Sequence, residues 1–252
     1  MKVIILCGGK GTRILDEVRI HPNVKANTNS RPPLWHIMDI FARHGFKDFI
    51  LPLGYKGDQV KKYFSEYTFL HSDFTIDLAT GHVTPHGTCP TDWTVTLCDA
   101  GQDTLKGARI KSVAHHIDSP RFMVTYGDGV ADIDIKALLD FHMRSGNIGT
   151  FTGVRTPPRI GSVQTDATGN ILSWQQTPLL NEYISCGFFV FESVFLDYLS
   201  DDPCCDLEGG PLERLAAEGQ LGMYLHKGFW HCTAHRAPQV FYTGDTSKKF
   251  AA

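Results

Sequence analysis

Near its start the chain runs Val3-Ile4-Ile5-Leu6-Cys7 and then places three glycines within four positions, in Gly8-Gly9-Lys10-Gly11-Thr12-Arg13. An apolar run without alternation reads as a strand buried on both faces, and such a strand needs a sheet covered by helices on each side. The glycines then turn the chain sharply. Backbone without Cβ atoms lets N–H groups approach an anion closely, Thr12 adds a hydroxyl donor, and Lys10 and Arg13 add positive charge. Such a loop is a phosphate cradle in the making; an ordinary glycine turn between strand and helix is the other reading. It lacks both the Lys-Ser/Thr ending of a P-loop and the third glycine of the dinucleotide fingerprint.

Further strands and helices alternate behind it. Leu34, Ile37, Met38, Phe41 and Ala42 recur at helical spacing before Gly45, and Phe49–Leu53 is a second buried strand. Val60, Tyr63 and Phe64 mark a short helix. Residues 69–92 carry no period and read as an excursion with short strands. A strand over Trp93, Val95 and Leu97 and a helix from Thr104 precede the buried strand Phe122–Tyr126, which ends at Gly127-Asp128-Gly129. Asp134 caps a helix carrying Ile135, Leu138 and Leu139. Strands over Ile148–Val154 and Tyr183–Phe191 flank a hairpin turning at Gly169-Asn170, and a helix over Pro211–Ala217 and a strand over Met223–Leu225 follow. The expected fold is one α/β domain: a mostly parallel twisted sheet flanked by helices, Rossmann-like, with small β excursions. Ligands of such sheets gather at the carboxyl ends of strands, where Gly11 and Asp128 both fall.

With 252 residues the chain can bury a sizeable core, and a net charge of -3 argues against nucleic acid as the main partner. Seven cysteines, an odd number in apolar contexts, suit reduced thiols rather than a disulfide frame. Met1 leads directly into the first strand and no apolar run reaches bilayer length, so a cytoplasmic protein with no membrane partner is expected.

The glycine loop, Leu34-Trp35-His36-Ile37-Met38, Gly54-Tyr55-Lys56-Gly57, Tyr126-Gly127-Asp128-Gly129-Val130-Ala131-Asp132 and Gly228-Phe229-Trp230 together resemble the glucose-1-phosphate cytidylyltransferases, in order and over most of residues 1–231. The resemblance implies a nucleotidyltransferase fold with a nucleotide-binding half over 1–130, a sugar-binding half over 131–236 and a divergent tail over 237–252. It implies attack of a sugar-phosphate oxygen on the α-phosphorus of CTP with magnesium, and a homo-oligomer. Cys7, Gly8, Gly9, Gly11, Thr12, Arg13 and Arg109 then fall on the nucleotide side, Asp128 is the metal carboxylate, and Tyr126, Ser185 and Gly187 border the sugar pocket.

Several segments depart from the family pattern, and Ser185-Cys186-Gly187 stands for its Asn-Gly-Gly at the sugar site. Asn23 stands for a lysine of the Lys-Pro-Met-type segment. Gln176-Thr177 stands for the Glu-Lys that grips the sugar phosphate, and Ala234 for a second metal aspartate. One preorganised charge lost at a transferring phosphate costs about 3–4 kcal/mol of barrier. Three such losses amount to roughly four to seven decades of rate. Lys25, two residues beyond Asn23, projects from the same face of an extended segment and offers a displaced ammonium. His231 and His235 either share a helical face as metal or acid–base groups or are surface residues that ligate nothing. On these departures the expectation is a small-molecule pocket turned to another reaction, with cytidylyl transfer lost or weak. An active CDP-sugar synthase using Lys25 and a non-catalytic binding subunit are the alternatives.

Overall fold

Apolar runs become the central strands because both of their faces find cover. The computed structural model describes residues 1–9, 32–87, 91–155, 162–175 and 183–232. In chain order these form β1 (Val3–Leu6), α1 (Pro33–Ala42), β2 (Asp48–Leu53), α2 (Gly57–Ser65), α3 (Tyr67–His71), β3 (Asp73–Ile76), β4 (Val83–His86) and β5 (Thr94–Asp99). There follow α4 (Lys106–Ser112), β6 (Arg121–Tyr126), β7 (Gly129–Ala131), α5 (Ile135–Ser145), β8 (Gly149–Val154), β9 (Ser162–Thr165) and β10 (Ile171–Gln175). The last elements are β11 (Ile184–Glu192), α6 (Glu213–Ala217), β12 (Leu221–His226) and β13 (Trp230–Cys232).

Seven strands make one sheet in the order β12-β8-β11-β6-β1-β2-β5. Every neighbouring pair is parallel except those made by β11, which runs antiparallel to both β6 and β8. The α/β reading of the sequence therefore holds. Side-chain alternation splits the core between the two faces. Val3, Ile5, Phe49, Leu51, Phe188 and Val190 pack on one side with α1, while Ile4, Leu6, Ile50, Phe189 and Phe191 pack on the other with Ile110 of α4. Burying one such side chain contributes about 1.5–3 kcal/mol.

The helices follow their local signals. Pro33 opens α1 where its missing N–H costs nothing, and Leu34, Ile37, Met38 and Phe41 form its buried stripe. The Asp134 carboxylate accepts from the Ala137 N–H at 3.0 Å, and Gly146 (φ +68°) ends α5. The stretch over 69–92 contains the hairpin β3–β4, and the turn around Gly169-Asn170 joins β9 to β10. The expected helix over Pro211–Ala217 is regular only as α6, because Gly209 and Gly210 (φ +114°) break the helical backbone just before it. None of the helices among the described residues is long and apolar enough to cross a membrane.

Behind the sheet, His142 of α5 is buried between Thr150 (Nδ1 to Oγ1, 2.9 Å) and Glu192 (Nε2 to Oε1, 3.3 Å), with Glu192 also paired to Arg121. Burial pushes the His142 pKa down, Glu192 opposes that shift and Arg121 adds to it. A lowered folded pKa means that the neutral ring is the native form. Its stabilising contribution is complete above the unfolded value near 6.5 and is lost as pH falls through the lowered folded value. The melting temperature is therefore expected to fall on going from pH 7 toward pH 5, and His142→Gln should flatten that part of the profile. Scanning calorimetry across the range checks it; an unchanged slope in the variant would remove His142 from the explanation.

Candidate active site

The candidate site is built where β1, β6 and β11 deliver their ends to one edge. β1 ends in Cys7-Gly8-Gly9, and β6 ends at Tyr126 before the turn that carries Asp128. The antiparallel β11 starts at the same edge, with Ser185, Cys186 and Gly187.

Gly8 is glycine for a packing reason. A Cβ there would sit 2.1 Å from Arg109 Nη1 and 3.0 Å from the Gly54 nitrogen; one on Gly54 would sit 2.5 Å from the Gly8 carbonyl oxygen. Into that gap α4 inserts the guanidinium of Arg109. It donates to the carbonyls of Leu53 (3.1 Å), Gly8 (3.0 Å) and Gln102 (3.2 Å), and so ties the ends of β1 and β2 to the loop before α4. Arg109 is buried, and desolvation lowers its pKa while Cys7, Asp99 and Asp103 pull the other way. A guanidinium remains charged throughout the physiological range. Sequence reasoning places Arg109 on the nucleotide side; in the structure its Nη1 and Nη2 donate to backbone carbonyls. Gly9 differs from Gly8: it is exposed, and a Cβ on it would meet nothing within 4 Å. Cys7 is fully buried and its thiol is pushed up to about 12 by desolvation, so it is a packing residue rather than a nucleophile.

On the sugar side, Gly187 has φ +84°, and a Cβ on it would fall 2.3 Å from Cδ2 of Tyr126. The register of β11 against β8 shifts between Ser185 and Phe189, a bulge that carries this glycine. The Cys186 carbonyl accepts from the Trp230 indole N–H at 3.0 Å, and burial pushes the Cys186 thiol up to about 12. The Tyr126 hydroxyl donates to Glu208 Oε1, and burial and then Glu208 drive its pKa far above the ordinary phenol value. Lys106 pairs with both Glu208 and Asp206. Glu208 and Lys106 have no motif to announce them, and only the fold brings them to Tyr126.

Asp128 faces β13. Cys232 Sγ lies 3.7 Å from Asp128 Oδ2, because the antiparallel pairing Cys232↔Gly129 and His231↔Val130 lays β13 along β7. The helical spacing proposed for His231 and His235 is corrected at its first member: His231 lies in a strand, and its ring stacks on Phe229 with centroids 6.5 Å apart. Gly11, Thr12, Arg13, Asn23, Lys25, Gln176, Thr177, Ala234 and His235 lie outside the described residues.

Among the described residues no group of three or more His, Cys, Asp or Glu side chains could hold a metal ion. Magnesium does not need one. It binds through one or two carboxylates and completes its octahedron with waters and substrate phosphates. Asp128, one hard oxygen donor at a strand end, fits an ion delivered with a nucleotide; the softer Cys232 and His231 beside it suit other metals.

The nucleotidyl transferase family model matches residues 2–231. The glucose-1-phosphate cytidylyltransferase of Salmonella typhi is 41% identical over 247 residues, 97% of this chain and 95% of that one. A probable glucose-1-phosphate cytidylyltransferase of Bacillus subtilis is 38% identical over 230 residues, 91% of this chain and 90% of its own length. Among solved structures, HddC from Yersinia pseudotuberculosis superposes with a TM-score of 0.60 at 18% identity, covering 92% of this chain and 93% of that one, a likeness of fold. The family model over residues 2–231 and near-complete coverage of these relatives agree: the chain belongs to the nucleotidyl transferase family.

Proposed function

We propose that this protein is an active sugar-phosphate nucleotidyltransferase that makes a CDP-sugar from CTP and a hexose 1-phosphate. The observation that carries this reading is the 38–41% identity to glucose-1-phosphate cytidylyltransferases along nearly the whole chain, with Asp128 present in the turn beyond β6. That continuity favours a working transferase over a pocket turned to another reaction.

The cradle of Gly8, Gly9 and Gly11, with Thr12 and Arg13, receives the nucleotide phosphates, and Arg109 keeps the backbone under it in place. Asp128 would hold a magnesium ion, which would neutralise charge developing on the phosphates. Lys25 supplies the ammonium that Asn23 lacks. Tyr126 and Gly187, with Ser185, shape the floor on which the sugar lies, and the Glu208 contact keeps the Tyr126 ring from swinging into that space. The sugar phosphate oxygen attacks the α-phosphorus in line and pyrophosphate departs. Positioning and charge do the work, and no side chain need form a bond.

The test is to incubate the protein with magnesium, glucose 1-phosphate and each of the four nucleoside triphosphates in turn, and to separate the products by chromatography. CDP-glucose formed in preference to the other three nucleotide sugars is the expected result. Product from another triphosphate in its place, or none from any, would refute the proposal.

A further inference from the structure

We infer that Arg155 and Lys227 form a cationic subsite that binds an anionic group of the sugar substrate; this rests on the transferase reading above. The two residues are placed together by register. β12 runs parallel to β8 with His226 paired to Val154, so Arg155 and Lys227 are the next residues of adjacent strands leaving the sheet side by side. They leave it at the carboxyl ends of β8 and β12, beside the start of β11, on the edge that carries Ser185, Gly187 and Asp128.

Between them is a cavity of about 260 Å³ lined by Arg155, Tyr183, Leu225, His226, Lys227 and Gly228. Two of its lining side chains have defined partners. The Arg155 guanidinium lies 4.7 Å from the centre of the Tyr183 ring, which orients the planar fork, and His226 Nε2 is anchored to the Phe229 carbonyl and to Asp132, each at 3.0 Å. Gly228 is glycine because a Cβ there would meet Asp132 Oδ1 at 2.2 Å. Two like charges placed side by side at strand ends repel each other unless an anion lies between them. A guanidinium fork with an ammonium beside it matches the oxygens of a phosphate or carboxylate.

β8 is two strands from β6 in the sheet, roughly 10 Å at the usual strand spacing. The anion is either the reacting 1-phosphate, for which these cations then do the work expected of a lysine at Thr177, or a second acidic group at the far end of the sugar. Both are sugar-borne anions of the same chemistry.

Calorimetric titration of glucose 1-phosphate, glucose 6-phosphate and glucose 1,6-bisphosphate into the protein and into an Arg155→Gln/Lys227→Gln double variant tests the assignment. Both side chains are exposed, so the variant is expected to keep its melting temperature, and CTP affinity serves as the control. The expected result is at least a tenfold loss of sugar-phosphate affinity in the variant, with CTP affinity unchanged. Loss for glucose 1-phosphate assigns the reacting phosphate to the subsite; loss confined to the 6-phosphate and the bisphosphate assigns the distal group. Equal affinity of both proteins for all three, or no sugar-phosphate binding by either, overturns the inference. Failure of the transferase reading shows itself separately, as absent CTP binding.

Discussion

Replacing Arg109 with methionine should destabilise the protein by about 3–4 kcal/mol, the largest effect expected from any single change near the site. The side chain is 3% exposed and donates three hydrogen bonds from a charged group, each worth about 1.5–3 kcal/mol. The sum is reduced because two acceptors keep another donor: the Gly8 carbonyl still accepts from Tyr55 N–H at 3.3 Å, and that of Leu53 from Ala100 N–H at 2.9 Å. Methionine keeps much of the volume, so the loss measures the polar clasp rather than a cavity. In a chain of this length each kcal/mol moves the melting temperature about 2–4 °C, so a fall of roughly 10 °C is expected. Arg109→Lys should recover little, since one ammonium cannot span three carbonyls held in a fork. CTP affinity should fall in the same variants, because the strand end under the cradle is released. Urea unfolding paired with CTP titration reads both. A stable Arg109→Met protein with full CTP affinity would remove the clasp from the explanation.

Asp128→Asn should lower kcat by about 10³-fold. The carboxylate stands in a turn beyond β6, with Cys232 Sγ 3.7 Å from its Oδ2. Removing one preorganised group from developing charge costs about 10²–10³ in rate, and on the proposed reading this carboxylate would also hold the magnesium ion. Raising magnesium should recover part of the loss if affinity for the ion is what weakened. Steady-state kinetics against magnesium concentration checks this; a variant within tenfold of the wild type would place the metal on another residue.

Much of the sheet is legible in the sequence because strands such as β1 (Val3–Leu6) and the Phe188–Phe191 part of β11 are apolar runs, and such runs have few places to go but between two layers of helix. Asp134 before Ile135 announced a cap, and the hairpin around Gly169-Asn170 announced itself by its turn residues. The backbone contacts of Arg109 are not legible in the sequence, since nothing local says that Gly8 and Gly54 leave a guanidinium-sized gap between them. The strand at His231 was missed because three residues cannot show a period, and its partner β7 is equally short. Glu208 on Tyr126, and Arg155 beside Lys227, join residues about 70 to 80 positions apart; the first arises from tertiary packing and the second from strand order. Pairings across the sheet have no local signature; capping and turn chemistry do.

The most direct test of the central claim is pyrophosphate release from CTP and glucose 1-phosphate by the purified protein with magnesium, followed in parallel with the Asp128→Asn variant. The expected result is steady release by the wild type, one pyrophosphate for each CDP-glucose formed, and release about a thousandfold slower by the variant. Equal rates in the two proteins, or no release by a wild type that binds CTP, would contradict it.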